Sequence, residues 1–266
     1  MPARRWLADR KFSATEAPPR MLPFLPDDLS VAVGVVAVAA LVIGVLGVRL
    51  TREAERLAEV LGVGQAPVGA LVLGGMTSLS GLVTSVSAAA VGSGDLAVSN
   101  AVGGIAVQTV FLVVADIFYR RANLEHAAAA EANLLQGALL ICLLALPLFA
   151  LLGPEMAVWQ VHPASPLLVA AYIGGLYLTG QAEDQPRWQP VMTGETQRER
   201  RQPAKRGPGE LVPLVLRILA YGLCVALAGY ALAQAGAVIS ARTAIGDTAV
   251  GSILTATTTS LPELVT

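Results

Sequence analysis

Charge, histidine, cysteine and aromatic side chains are all scarce in this chain. Asp, Glu, Lys and Arg make up 14% of the 266 residues and the formal net charge is −1, so no basic surface for nucleic acid is expected. The two cysteines, Cys142 and Cys224, fall in apolar segments without metal-ligand spacing and read as small buried hydrophobes. The two histidines, His126 and His162, lie outside the apolar runs, which leaves Ser78 and Ser80 without a base and argues against a Ser/His hydrolase. Paired aspartates within the apolar runs are also missing, so the chain is not read as an enzyme. No Gly-rich loop ending in Lys-Ser/Thr is present, and nucleotide-driven pumping and a bound cofactor are therefore not expected. Residues 1–30 are basic and then proline-rich, without the layout of a signal peptide, and read as a flexible arm.

What the chain has in quantity is apolar side chains. Hydrophobic residues reach 55% and the mean hydropathy is +0.63, values that belong to an all-α polytopic membrane protein with the lipid bilayer as its first partner. Crossing a bilayer takes about 20 apolar residues in a helix. Candidate spans are Val31 to Leu50, Pro67 to Val91, Leu96 to Tyr119, Leu134 to Leu152, Pro166 to Gly180, Leu211 to Ala235, and one opening near Ala244. Thr51 to Val60 is expected as a separate charged interfacial helix, and Ala122 to Gln136 as a helix running on into the fourth span. Gly92-Ser93-Gly94-Asp95 is a tight turn, and Gly153-Pro154 ends the fourth span. Residues 181–210 form the one long polar connection, dividing 31–180 from 211–266.

Arg49, Arg52, Arg56, Arg120, Arg121 and the basic residues of 181–210 fall on one side if spans alternate, and the amino-terminal arm with Arg242 on the other. The positive-inside rule puts the first group, and so the 181–210 loop, in the cytoplasm and the amino terminus outside. The membrane expected is a bacterial-type plasma (inner) membrane.

The chain also repeats itself. Gly64 to Thr84 matches Gly246 to Thr266 at a constant offset, with Gly64, Val68, Gly69, Thr77, Ser78, Leu79, Leu82, Val83 and Thr84 all recurring. Ser80-Gly81 in the first copy stand where the second has Pro262-Glu263. An odd number of spans separates the copies, so they cross the membrane in opposite directions, the inverted-repeat plan of many secondary transporters.

In a continuous helix Thr259 and Glu263 share a face, and Ser260 lies three residues from Glu263. Pro262 removes a backbone donor and frees carbonyls near Thr258 and Thr259. Hydroxyls, carbonyls and a carboxylate are hard oxygen ligands for Na⁺ or Ca²⁺. The competing reading has the hydroxyls bonding back to the helix and Glu263 paired with an arginine such as Arg217. Other polar residues carry less: Asn100 and Ser99 either line a path or cap a helix start, Asp116 pairs with Arg120, and Asp247 is an N-cap.

Thr259-Ser260-Leu261-Pro262-Glu263 reproduces T-S-L-P-E, and Thr77-Ser78-Leu79-Ser80-Gly81 reproduces it in part. With the helix from Asp95 to Gln108, these resemble the cation/Ca²⁺ antiporter superfamily, the sodium/calcium exchangers. The resemblance implies an inverted-repeat exchanger bundle, with about seven spans here of about ten, and missing C-terminal spans of the same protein as a further partner. It implies halves at 31–180, with a first α-repeat near 64–119, and at 211–266, with a truncated second repeat from about 244. It also implies exchange of small cations, Na⁺, Ca²⁺ or H⁺, at a midplane site, with Glu263, Thr259 and Ser260 as metal ligands and Thr77, Ser78 and Gln108 as further ion-binding residues. By the same alignment Gly81 replaces a glutamate, Gly104 a ligand serine and Gln108 a ligand asparagine. A degenerate paralogue that keeps the fold without transporting is the alternative.

Overall fold

A computed structural model describes residues 28–61, 73–119, 124–127, 129–153, 161–184, 187–189, 191, 193 and 211–264. Apart from short connections these residues are helical: α1 (Leu29–Leu61), a turn of helix at 73–77, α2 (Leu79–Ala90), α3 (Gly94–Phe118), α4 (Leu124–Ala127), α5 (Glu131–Leu152), α6 (Ala164–Asp184) and α7 (Leu211–Arg242). A closing segment follows, built of unlike pieces: one α-turn at Asp247–Ala249, a π-helix at Val250–Thr255, an α-turn at Ala256–Thr259 and a 3₁₀ turn at Pro262–Leu264. Among the described residues four helices are long and apolar enough to cross a membrane: Leu29–Val60, Gly94–Phe118, Glu131–Ala150 and Leu211–Arg242. These coincide with four of the seven expected spans. The second expected span is divided near Ser78, and its beginning lies outside the described residues.

Three expectations are corrected. The charged stretch Thr51 to Val60 is no separate helix but the last turns of α1. Nothing between Gly47 and Leu61 breaks the helix, since Arg, Glu, Ala and Leu all favour it. Ala54 and Ala58 are buried there, and Glu53 accepts from Arg56 one turn on at 3.1 Å. The stretch leading to α5 is interrupted instead of continuous. Ala130 is extended, and the carboxylate of Glu131 caps the backbone N–H groups of Arg187 (2.5 Å) and Trp188 (2.8 Å). An acid at a helix start is favoured by the exposed amides and the helix dipole. α5 ends at Gly153, as the sequence implies. Cys142 and Cys224 are free and exposed, not buried: each sits on the outer face of an apolar helix, where a small hydrophobe is equally at home.

Contacts divide the described residues into two units. In one, α5 packs along α6, and Leu139 lies against Gly175, which has no side chain to obstruct it. The other unit holds α1, residues 73–112, α7 and the closing segment. Its core gathers Ala32, Val36 and Ile43 of α1, Leu96 of α3, Leu232 and Ile239 of α7, and Val250. α2 packs along α7, and a Cβ on Gly229 would lie 2.8 Å from the Ser80 carbonyl. The Thr84 hydroxyl lies 3.0 Å from the Gly229 carbonyl and 2.8 Å from that of Ser80. The α2–α3 turn is a Schellman motif. Gly92 has φ +87°, Gly92 N–H donates to Ala89 and Ser93 N–H to Ala88.

Glycine also brings α3 against the closing segment. A Cβ on Gly103 would sit 2.5 Å from Ser252 Cα, and one on Gly251 would run into Ser99 Oγ and lie 2.7 Å from the Leu96 carbonyl. The two backbones meet where neither residue carries a side chain, a common device for close helix contact in membranes. Gly251→Leu should lower thermal stability in detergent by about 1–3 kcal/mol through overpacking. Gly34→Ala, with nothing within 4 Å of its Cβ position, should stay within about 0.5 kcal/mol. Equal melting of wild type and Gly251→Leu would contradict the close approach.

Candidate ion-binding site

The two sequence copies break their helices at the same residue. Ser78 has φ −88° and ψ 7°, and the aligned Ser260 has φ −90° and ψ 1°. Both lie in the bridge region of backbone space, which is sparsely used and typical of turns and functional sites. The hydrogen bonds around them match as well. Thr77 donates its hydroxyl to Gly74 O at 3.0 Å, and Thr259 to Ala256 O at 3.2 Å. Ser78 N–H donates to Gly74 O and Ser260 N–H to Ala256 O, both at 3.0 Å.

After the break the copies diverge, as their sequences do. The first resumes as regular helix from Leu79, with Leu82 N–H donating to Ser78 O. In the second, Pro262 has no N–H to return to Thr258, whose carbonyl accepts from Leu261 instead at 3.4 Å. Glu263 N–H turns to Ser260 O at 3.2 Å, which leaves the Thr259 carbonyl free of its helical partner. The first copy fills the gap: Ser80 donates its hydroxyl to Thr259 O at 3.0 Å. Ser80 is the residue aligned with Pro262, so the position that opens the turn in one copy closes it from the other. Thr259 and Glu263 are consequently not on one regular helix, as four-residue spacing implies, because a 3₁₀ turn carries Glu263.

α3 supplies the third wall. A Cβ on Gly104 would lie 3.7 Å from Ser260 Oγ, and Gln108 Nε2 donates to Glu263 Oε1 at 3.4 Å. A Cβ on Gly81 of α2 would lie 3.7 Å from Thr259 Oγ1. Thr259 and Ser260 are buried, and Glu263 Oε2 is buried with no hydrogen-bond partner among the described residues. Of the expected ligands, then, Glu263, Ser260, Thr259 and Gln108 come together. Thr77 and Ser78 stand one turn before Gly81 on the first copy, and neither donates to the second copy among the described residues.

The competing reading of the hydroxyls is met in part. Thr255, Thr258 and Thr259 do bond back to carbonyls of their own segment. Arg217, however, faces Glu53 at 3.5 Å, so it is committed to a different carboxylate. Asp247 is the first helical residue behind Gly246, not the cap itself. Arg120, the expected partner of Asp116, lies outside the described residues. His126 pairs with Thr193 at 2.8 Å and His162 Nδ1 accepts from Ala164 N–H at 3.1 Å, and neither histidine belongs to the four long apolar helices.

Sequence reasoning underrated Asn100. Only 2% exposed, it lies well inside α3 and does not cap the helix start. Its amide donates to Gly81 O at 3.3 Å and Ser85 Oγ at 2.9 Å, and its carbonyl accepts the Thr255 hydroxyl at 2.7 Å. One side chain on α3 thus joins α2 to the closing segment. The signal was available: Asn100, Gly104 and Gln108 recur every four residues, on one face of α3. Asn100→Ala should cost about 1–3 kcal/mol of stability, since it strands buried partners on both sides. Thermal melts in detergent check this, and an unchanged melting temperature would contradict it.

The family described as sodium/calcium exchanger protein matches residues 31–180, more than half of the chain. That match runs from the start of α1 to near the end of α6 and includes the incomplete first copy of the repeat, not the complete motif of the closing segment. No curated protein and no solved structure matches the chain. With its apolar helices and this match, the chain is an integral membrane protein that belongs to the sodium/calcium exchanger family, whose members are transporters and not enzymes.

Proposed function

We propose that the protein is a secondary-active cation antiporter of the sodium/calcium exchanger type, exchanging Ca²⁺ or another cation against Na⁺ or H⁺. The observation that carries this reading is the buried, unpartnered Oε2 of Glu263, on the turn that follows the buried Thr259 and Ser260. A carboxylate oxygen away from water and without a donor is costly, and a cation offsets that cost. Glu263 supplies the charge, and Ser260 and Thr259 supply neutral oxygens. Gln108 holds the second carboxylate oxygen, and the aligned breaks at Ser78 and Ser260 provide the irregular backbone that a transporter needs only where it lines a site.

The two copies are read as an inverted-topology pair, with 31–180 and 211–266 belonging to opposite halves and Thr77 and Ser78 contributing to the path from the first copy. Alternating access then exposes the site to either side in turn, with the 181–210 loop cytoplasmic, the amino terminus outside and the plasma (inner) membrane as the setting. Asn100, by bonding to both copies, keeps the walls of the site in register as they move.

Glu263→Gln in reconstituted liposomes should reduce cation exchange at least about tenfold, the effect of losing roughly 1.4 kcal/mol or more of ion binding. Full activity in that variant would remove Glu263 from the site. No exchange by the wild type under any Na⁺, Ca²⁺ or H⁺ gradient would favour a paralogue that keeps the fold without transporting.

A further inference from the structure

The glycines of the exchanger unit fall into two groups. Gly103, Gly229 and Gly251 are needed for packing, because a Cβ on each would lie within 2.8 Å of backbone or side-chain atoms. Gly81 and Gly104 are not. A Cβ on Gly81 would meet Thr259 Oγ1 at 3.7 Å and Thr259 Cβ at 3.8 Å, and one on Gly104 would meet Ser260 Oγ at 3.7 Å, all ordinary van der Waals contacts. At both positions a Cβ would face a hydroxyl of the site without a clash. Packing therefore does not explain why they carry none.

Among the described residues the site carries one formal charge. Gly81 is the residue aligned with Glu263, and the side chain nearest Glu263 on α3 is the neutral Gln108, which presents a donor and not a second carboxylate. Two other acids of the unit have partners of their own. Glu53 accepts from Arg56 and Arg217, and Asp28 accepts from Ser30. Asp95, at the opposite end of α3, is thirteen residues from Gln108, about 20 Å along a helix. Among the described residues no three or more His, Cys, Asp or Glu gather into a cluster. A single carboxylate balances a single positive charge. A divalent ion there would keep an uncompensated charge in a medium of low dielectric constant.

Resting on the assignment of this cluster as the ion site, we propose that it takes one monovalent cation in preference to a divalent one, and that Gly81 sets this preference by withholding a second carboxylate at the position aligned with Glu263. Na⁺, with its preference for hard oxygens, is the chemistry that a carboxylate and two hydroxyls fit.

The test is titration calorimetry of the purified protein with NaCl and with CaCl₂ at constant ionic strength, on wild type, Glu263→Gln, Gly81→Asp and Gly104→Asp. Wild type is expected to bind Na⁺, to lose it in Glu263→Gln, and to bind Ca²⁺ no more tightly than Na⁺. Gly81→Asp should raise Ca²⁺ affinity at least about tenfold relative to Na⁺. Gly104→Asp gives the same reading if Gly81→Asp fails to melt cooperatively. Ca²⁺ bound more tightly than Na⁺ by the wild type, and lost in Glu263→Gln, would overturn the monovalent preference and leave the site in place. Binding of either ion that is indifferent to Glu263 would remove the site, and the proposal with it.

Discussion

The arrangement of the exchanger unit depends on how closely α3 approaches the closing segment. Gly103 and Gly251 let the two backbones meet, and a side chain at either would force them apart. From that contact the rest follows in order along α3. Asn100 reaches α2 on one side and Thr255 on the other, Gly104 comes under Ser260, and Gln108 arrives at Glu263. The closing segment in turn is held by α1, where Gly44 faces Leu261 and Gly47 lies against Pro262. Small residues thus fix the position of every polar group in the cluster, and the polar groups answer one another only because the helices are this close.

Within that frame the broken backbone is satisfied in a particular way. Pro262 takes one donor out of the closing segment, and the carbonyl left over at Thr259 is met by Ser80 of the other sequence copy. A buried carbonyl without a partner is costly, so this bond ties the integrity of one break to the presence of the other copy. The charge of Glu263 has no such answer. Glu53 also has one buried oxygen without a partner, but its other oxygen meets Arg56 and Arg217, whereas the other oxygen of Glu263 meets only the neutral Gln108, so among the described residues no cationic side chain balances Glu263.

Much of this could be read from the residues alone, and the parts that could not have physical causes. Pro262 marked the disturbed turn of the closing segment, because a missing backbone donor is a local property, but the break at Ser78 falls inside the expected span Pro67 to Val91 and was not legible. The Gly92 turn and the end of α5 at Gly153 were legible for the same local reason as Pro262. The length of α1 was not, since charge was taken as the end of a span while helix propensity continued through Glu53 and Arg56 to Leu61. The π-helix at Val250–Thr255 has no sequence signal of its own, because an extra residue per turn is decided by what the helix packs against. Asn100 was visible as a polar residue in an apolar run, but its bonds span residues 81, 85 and 255, and only the fold brings those together. The exposed cysteines show the same limit: hydropathy says that a side chain leaves water, not whether it faces protein or lipid.

The central claim is that the carboxylate of Glu263 is where the transported ion sits. Infrared difference spectroscopy of the reconstituted protein, recorded on adding and removing Na⁺ or Ca²⁺, reads that carboxylate directly. The account predicts a cation-induced change in the carboxylate stretching bands that disappears in Glu263→Gln and survives in Glu53→Gln. A difference spectrum unchanged by Glu263→Gln would contradict it.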